Sequence, residues 1–408
     1  MTVDDIPALD SADPLAFARD RFRLPDGIIY LDGNSLGALP AAAPDALART
    51  ISDQWGNDLI ASWNKHGWID APGRVAAKLA PIVGAGPDEL LIADSTSISL
   101  FKLLAAAVRA RPDRNVILTE AGNFPTDLYV AQGLTKLWPQ LTVKAVEADQ
   151  IADAIDEQTA VVTVTHVNYR TGRRLDMAAI NRAAGKAGAL NLWDLSHSAG
   201  AMALDLGLAA CDLAVGCGYK YLNGGPGAPA FVFVARGLQG ALENPLPGWM
   251  GHAEPFAFAP DYARAPGMGQ WLTGTPSILA LTALDAGLDT FEGVAMADLE
   301  AKSARLTQIF IDAVEDSCCG EVKLAGPRNP AERGSQVSFA HPQGYAVMQA
   351  LIDRRIVGDF RAPDLIRFGF APLYNSFADA VGAAAGLAEV LATRAWDQPR
   401  FLERQKVT

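Results

Sequence analysis

Apolar, β-branched runs recur through the middle of the chain: LLIADS (90–95), NVILTE (115–120), TAVVTVTHV (159–167), LNLWDLS (190–196), DLAVGCGYKY (212–221) and APAFVFVA (228–235). Between most of them lie alanine-rich amphipathic segments such as ISLFKLLAAAVRA and LDMAAINRAAGKAG. Continuous apolar strands separated by helix-length segments predict an α/β fold with a mostly parallel sheet covered on both faces. In such sheets ligands gather beyond the carboxyl ends of the strands. Residues 1–70 read as an irregular arm with aromatic punctuation in SDQWGNDLIASWNKHGWID, and residues 71–275 as a large domain. From 276 the pattern turns helical (PSILALTALDAGLDTF, then DLEAKSARLTQIFIDAVEDS) before shorter strand-like pieces, SQVSFAH and LIRFGFAPL. Residues 276–408 therefore read as a smaller α/β domain, to which the arm returns.

Composition narrows the class. The chain has 408 residues, half of them hydrophobic and a fifth charged, enough for a substantial core. Its net charge of -12 argues against nucleic acid or anionic lipid as a partner, because an acidic surface repels both. Cys211, Cys217, Cys318 and Cys319 make no disulfide framework, since the adjacent pair could bridge only across a distorted peptide, and a reducing cytoplasm is expected. The start, MTVDDIPALD, is acidic without an apolar stretch, so no signal peptide is expected, and no run reaches membrane-span length.

Three polar groups fall where strands end. Asp194 and His197 close LNLWDLSHSAG, and Lys220 closes the next run, set between two tyrosines and ahead of NGGPG. Asp194 and His197 could be read as metal ligands, but the five histidines offer no second pair at matching spacing. A plainer reading makes Asp194 a helix cap and His197 a partly buried neighbour. What distinguishes the readings is company. A lysine nucleophile, a carboxylate on the adjacent strand and a planar aromatic are the parts of a pyridoxal 5'-phosphate site. Phe124, in EAGNFPTDLY, is a candidate stacking ring, although singly it reads as a core phenylalanine. DSTSISLFKLL runs from strand to helix through Ser95, Thr96 and Ser97, so hydroxyls and unpaired N–H groups meet where the helix dipole favours an anion.

YLDGNSLG (30–37), NFPTD (123–127), THVNYRTG (165–172), WDLSHSAGA (193–201), YKYLNGGPG (219–227), GWMGH (248–252), GTPSI (274–278), SFAHPQGYAV (338–347) and RFGFAPLYNSF (367–377) stand in order along nearly the whole chain. Together they resemble the kynureninase family, fold-type I pyridoxal phosphate enzymes of the class V aminotransferase group. That resemblance implies a large domain built on a mostly parallel seven-stranded sheet and a smaller C-terminal domain. It implies that Lys220 carries the cofactor covalently, that Asp194 pairs with the ring nitrogen, and that His197 lies beside it. Phe124 would stack, with Pro125, Thr126 and Asp127 completing its loop. Thr96, Ser97, Tyr219, Trp249 and Thr275 would surround the phosphate, the last two reaching in from a partner subunit of a homodimer. Thr165 would face the ring, and Arg367 would clamp the substrate carboxylate bidentately. The implied reaction is hydrolysis of L-kynurenine, or its 3-hydroxy derivative, to the aromatic amine and L-alanine, in tryptophan catabolism and NAD biosynthesis. Tyr219 has two readings of equal standing, acid/base group at the substrate carbonyl and phosphate ligand. Asn34, Ser35, Trp63, His66 and Trp68 would line the aryl pocket.

Three rival readings compete. Cysteine desulfurases share the fold and lysine but need a mobile cysteine before the carboxylate-binding arginine, and VGDFRAPDLIR has none. GNSLG (33–37) fits the nucleophile elbow of serine hydrolases, yet only one short strand precedes it and no oxyanion glycine pair stands upstream. A silent cofactor-binding regulator would need a DNA-binding module, for which neither spare length nor basic charge is present.

Overall fold

The computed structural model describes residues 6–318 and 320–404, so Cys319 lies outside the described residues. Its central feature is a seven-stranded sheet. In chain order the strands are β1 (Leu90–Ala93), β2 (Val116–Glu120), β3 (Thr142–Val146), β4 (Thr159–Thr165), β5 (Leu190–Asp194), β6 (Leu213–Cys217) and β7 (Ala230–Val234). Across the sheet they run β1-β7-β6-β5-β4-β2-β3. All neighbours are parallel except β7, which is antiparallel to both β1 and β6. Every residue of β4, β5, β6 and β7 is buried, which is why these stretches read as unbroken apolar runs rather than alternating ones. Edge strand β3, TVKAV, is part-exposed along its length; it lacks such a run and did not stand out in the sequence.

Successive residues of a strand point to opposite faces, and the core divides accordingly. Val162, Val164, Trp193, Phe231 and Phe233 pack with Val75 and Leu79 of helix α1 (Ala71–Val83). Val161, Leu192, Leu213 and Val215 pack on the other face with Leu100, Leu103 and Leu104 of helix α2 (Thr96–Arg109). Cα partners set Thr165 opposite Asp194 and Asp194 opposite Val215, so β4 and β5 end level at one edge of the sheet and β6 runs on two residues to Cys217.

The C-terminal part carries an antiparallel four-stranded sheet. Its strands are β8 (Lys323–Leu324), β9 (Gln336–Ala340), β10 (Asp359–Arg361) and β11 (Leu365–Gly369), ordered β10-β11-β9-β8. A third core cluster joins Phe339, Ile366 and Phe368 to Phe310 of helix α3 (Met296–Ser317), and it takes in Ile6 and Leu31 from the arm. The arm is more ordered than its sequence suggested. Ile29–Tyr30 pairs in parallel with Ile356–Val357, a helix spans Ala43–Arg49, and a π-helical stretch follows at Thr50–Asn57.

Two buried features set expectations for stability. The Asp13 carboxylate meets the Lys302 ammonium of α3 at 2.7 Å with both side chains almost fully buried, joining the arm to the small domain. Asp13→Ala would strand that ammonium, and chemical denaturation is expected to show a loss of about 3–5 kcal/mol. His166, just past β4, is buried edge-to-face against Trp193, and burial, with the Arg174 charge, pushes its pKa down to about 3. The folded ring therefore stays neutral where the unfolded one takes a proton, near pH 6.5, so its contribution is intact above that pH and is lost as pH falls toward 3. Between pH 6 and 5 the wild-type protein is expected to lose about 1 kcal/mol more than His166→Phe, read from denaturation at each pH.

Candidate active site

Lys220 stands three residues beyond β6, in a turn packed against the arm. The amide of Gly37 donates to the Tyr219 carbonyl at 2.9 Å, and a Cβ at Gly37 would come within 2.4 Å of the Lys220 carbonyl, so only glycine lets the GNSLG loop lie this close. Beside the lysine is a hollow of about 290 Å³ lined by Thr96, Ser97, Phe124, Thr126, Asp127, Thr165, Tyr169, Asp194, His197, Tyr219 and Lys220. Lys220 Nζ lies 5.9 Å from the Phe124 ring centroid and 5.8 Å from that of Tyr219. Phe124, at the start of the helix Pro125–Leu137, is 39% exposed and so is a site wall rather than a core residue. Pro125 occupies the first position of that helix, where its missing N–H costs nothing.

The hollow is short of positive charge. Asp127 and Asp194 are both buried, and burial pushes both carboxyl groups above the ordinary range, Asp127 further because the Asp194 charge faces it. Asp194 Oδ1 accepts from the Ser196 amide at 2.7 Å, whereas Asp127 Oδ1 is buried without a hydrogen-bond partner among the described residues. Lys220 is the cation that favours ionisation of both. His197 is held well below its ordinary pKa by burial, then by the charges of Lys220 and Arg367, and its Nδ1 lies 2.7 Å from Gln336 Oε1. Thr165 donates to Asn123 Oδ1 at 2.5 Å, and the same oxygen receives the Phe124 amide, so Asn123 fixes the Phe124 loop.

On the far side, Thr96 and Tyr219 also border a second hollow of about 320 Å³, lined by Asp94, Ser95, Gly227 and the segment Thr273–Ser277. Ser95 is the N-cap of α2, its side chain accepting from the Ile98 amide. Hydroxyls of Thr96, Thr275 and Ser277 thus border the amino end of a fourteen-residue helix, an arrangement that receives an anion. Burial raises the Tyr219 hydroxyl above the usual tyrosine range, so it is a neutral donor at the junction of the two hollows. A flat cofactor bearing an aldehyde, a protonated ring nitrogen and a phosphate fits this donor set: amine, buried carboxyls short of a cation, and hydroxyls at a helix terminus.

Arg367 is 1% exposed and already engaged. It forms a bidentate pair with Asp359, donates to the Tyr169 carbonyl at 2.6 Å and reaches Ser35 Oγ at 3.0 Å. Arg361 meets the same Asp359 at 2.7 Å. Burial works to raise the Asp359 pKa, but the charge and hydrogen bonds of Arg367, with Arg361, hold it below the usual carboxylate range. Asp32, beside them, is pushed up to about 7 by burial and by the Asp359 charge. Asn34 is buried, facing Gln336. Ser35 donates to Asp359 at 2.8 Å and, among the described residues, no histidine bonds it, so the nucleophile-elbow reading of GNSLG fails.

Several candidates fall elsewhere. Trp249 is 40% exposed and packs on Phe256, outside both hollows, whereas Thr275 borders the hollow of its own chain. Trp63 stacks edge-to-face on Trp68, and His66 pairs with Asp58, so none of the three lines the Lys220 hollow. Asp194 and His197 turn to different partners, and among the described residues no group of three or more His, Cys, Asp or Glu could hold a metal ion. Sequence reading missed Tyr169, Gln336, Asp359 and Arg361; of these, only DFR ahead of Arg367 offered a signal, as a charge pair one strand away.

Comparison with known proteins places the chain in a family. The family model for the kynureninase C-terminal domain matches residues 299–387. The kynureninase of Pseudomonas fluorescens is 48% identical over 414 residues, covering all of both chains, and that of Burkholderia mallei is 49% identical over 415, again end to end. Among solved structures, a C-DES variant with glycine covalently linked to its pyridoxal phosphate matches with a TM-score of 0.79 at 19% identity, covering 91% of this chain and 99% of that one. The apo cysteine desulfurase of Thermococcus onnurineus matches at 0.77 and 20%, covering 93% and 98%. At such identity these last two speak for the fold alone, fold-type I with its seven-stranded sheet. Identity of nearly one residue in two across the entire length makes this chain a member of the kynureninase family.

Proposed function

We propose that this chain hydrolyses L-kynurenine to anthranilate and L-alanine with pyridoxal 5'-phosphate. The observation that carries the reading is the meeting of Lys220 with two buried, cation-poor carboxyl groups, Asp194 and Asp127, in one hollow. Pyridoxal phosphate, when bound, supplies an electron sink beside the substrate α-carbon. Lys220 Nζ would hold the cofactor and would move the proton at the substrate α-carbon. Asp194 and Asp127 would favour a protonated ring nitrogen. Phe124, Thr165 and His197 would hold the ring, with Pro125 and Thr126 shaping the Phe124 loop. Thr96, Ser97 and Thr275 would hold the phosphate at the amino end of α2.

Arg367, steered by Asp359, receives the substrate carboxylate together with Arg361 and Ser35, the two guanidinium groups outnumbering the one carboxylate between them. Tyr219 donates and withdraws a proton at the aryl ketone as water adds and the adjacent carbon–carbon bond breaks; phosphate contact is its other role. Asn34 contributes to the substrate end of the site. A homodimer is supported by apolar side chains left in solvent, including Trp55, Ile60, Phe256 and Phe258, and by Trp249, which is part-exposed and would reach a neighbour's phosphate. A cytoplasmic setting, a place in tryptophan catabolism and NAD biosynthesis, and 3-hydroxykynurenine as a second substrate belong to the same proposal, as does the division into 1–70, 71–275 and 276–408. Among the described residues no helix is long and apolar enough to cross a membrane. Against a desulfurase, Cys318 is buried in the small-domain core.

Purified protein given kynurenine or 3-hydroxykynurenine should release a fluorescent aromatic amine, with cysteine and aliphatic amino acids inert; desulfuration of cysteine instead would reverse the assignment. Lys220→Ala should lose both covalent cofactor attachment and turnover. Tyr219→Phe should retain cofactor but lose about 100-fold or more in turnover if the tyrosine moves the proton; unchanged turnover would leave it a phosphate contact.

A further inference from the structure

Lys102, on the second turn of α2, is fully buried beneath the second hollow, although neither substrate nor cofactor chemistry calls for it there. Its ammonium donates to Asp94 Oδ2 at 2.5 Å and to the Trp271 carbonyl at 2.8 Å. Asp94 immediately precedes the Ser95 cap and is held at φ 48°, a left-handed conformation that a non-glycine residue adopts only when its surroundings enforce it. Trp271 is fully buried, so its carbonyl is a fixed point, and the chain runs on from it into Thr273, Gly274 and Thr275. The same segment supports the loop that carries Trp249: the Met250 amide donates to the Thr273 carbonyl, and a Cβ at Gly248 would collide with that carbonyl at 2.2 Å. Two rims of the hollow, Asp94–Thr96 and Leu272–Thr275, are thus tied to one charged atom, the first through Asp94 and the second through the preceding Trp271 carbonyl.

We propose that Lys102 is a positioning residue for the phosphate end of the cofactor site, setting the spacing between these two rims. The inference rests on reading that hollow as the phosphate cup. A buried ammonium is costly unless paired, and Asp94 supplies the pair at the one backbone position that aims α2 and its hydroxyls. Without the lysine, Asp94 keeps its carbonyl bond to the Ala230 amide but loses its side-chain tether to the Trp271 carbonyl, and the strand-to-helix turn and the Thr275 segment can drift apart. A phosphate bridging the two would then lose contacts on one side, while the ring, held by Lys220, Asp194 and Phe124, would not.

The test separates phosphate from ring. Affinities of the lysine-bearing protein for pyridoxal phosphate and for pyridoxal, measured by absorbance titration, are compared with those of Lys102→Met. Loss of one charge-assisted contact predicts about tenfold weaker binding of pyridoxal phosphate, with pyridoxal nearly unchanged. Equal weakening of both ligands, or of neither, would overturn the role. The double variant Asp94→Asn/Lys102→Met, which removes both charges together, gives the same reading if the single variant does not fold. Thr96→Val serves as the reference: if it narrows the preference for the phosphorylated ligand and the lysine variants do not, the cup stands and the lysine's role falls. If Thr96→Val leaves the preference untouched, the cup itself lies elsewhere and the proposal falls with it.

Discussion

Burial of Asp127 and Asp194 beside Lys220 is the constraint on which the site depends. Two carboxyl groups taken out of water, one with an oxygen lacking any partner, form a place that is unfavourable until a cation enters. The sheet creates this condition. Because β4, β5 and β6 run parallel and end at the same edge of the sheet, the residues at and just past their carboxyl ends meet in one hollow. Stability alone would favour apolar side chains at those ends, so the carboxyl groups are retained at a cost that a protonated ring can offset.

A second electrostatic cluster is arranged on the opposite logic. Around Arg367, charge is dense: Asp359 sits between two guanidinium groups with Ser35 bridging, and burial and the Asp359 charge push the nearby Asp32 up to about 7. Under the proposed function, an arriving carboxylate would meet guanidinium groups whose orientation Asp359 has already set, which would reduce the ordering cost of binding. The arm makes this possible. Its Ile29–Tyr30 segment adds to the small domain, and its Gly33–Gly37 turn spans the gap between Arg367 and the Lys220 turn.

Fold class and the central lysine–aspartate pair could be read from the chain because fully buried parallel strands leave continuous apolar runs, and the polar residue ending each run marks the ligand edge. The edge strand β3 escaped notice for the converse reason, its part-exposed residues diluting the pattern. Phe124 was recognisable only through its motif; its partial exposure, which marks it as a wall of the site, is a property of the packed molecule.

What sequence alone determined, then, is local: where strands end, which helix begins with hydroxyls, which glycines permit a close turn, and which family the ordered motifs resemble. Tertiary structure decided the pairings between distant segments. Asp359 with Arg367, Gln336 with His197, Lys102 with the carbonyl of Trp271, and the separation of Trp63, His66 and Trp68 from the hollow all depend on how layers stack. No periodicity encodes such contacts, because hydrogen bonds and ion pairs act over a few ångströms while the residues involved stand on different elements, from 8 to 169 positions apart, and only packing brings them within range.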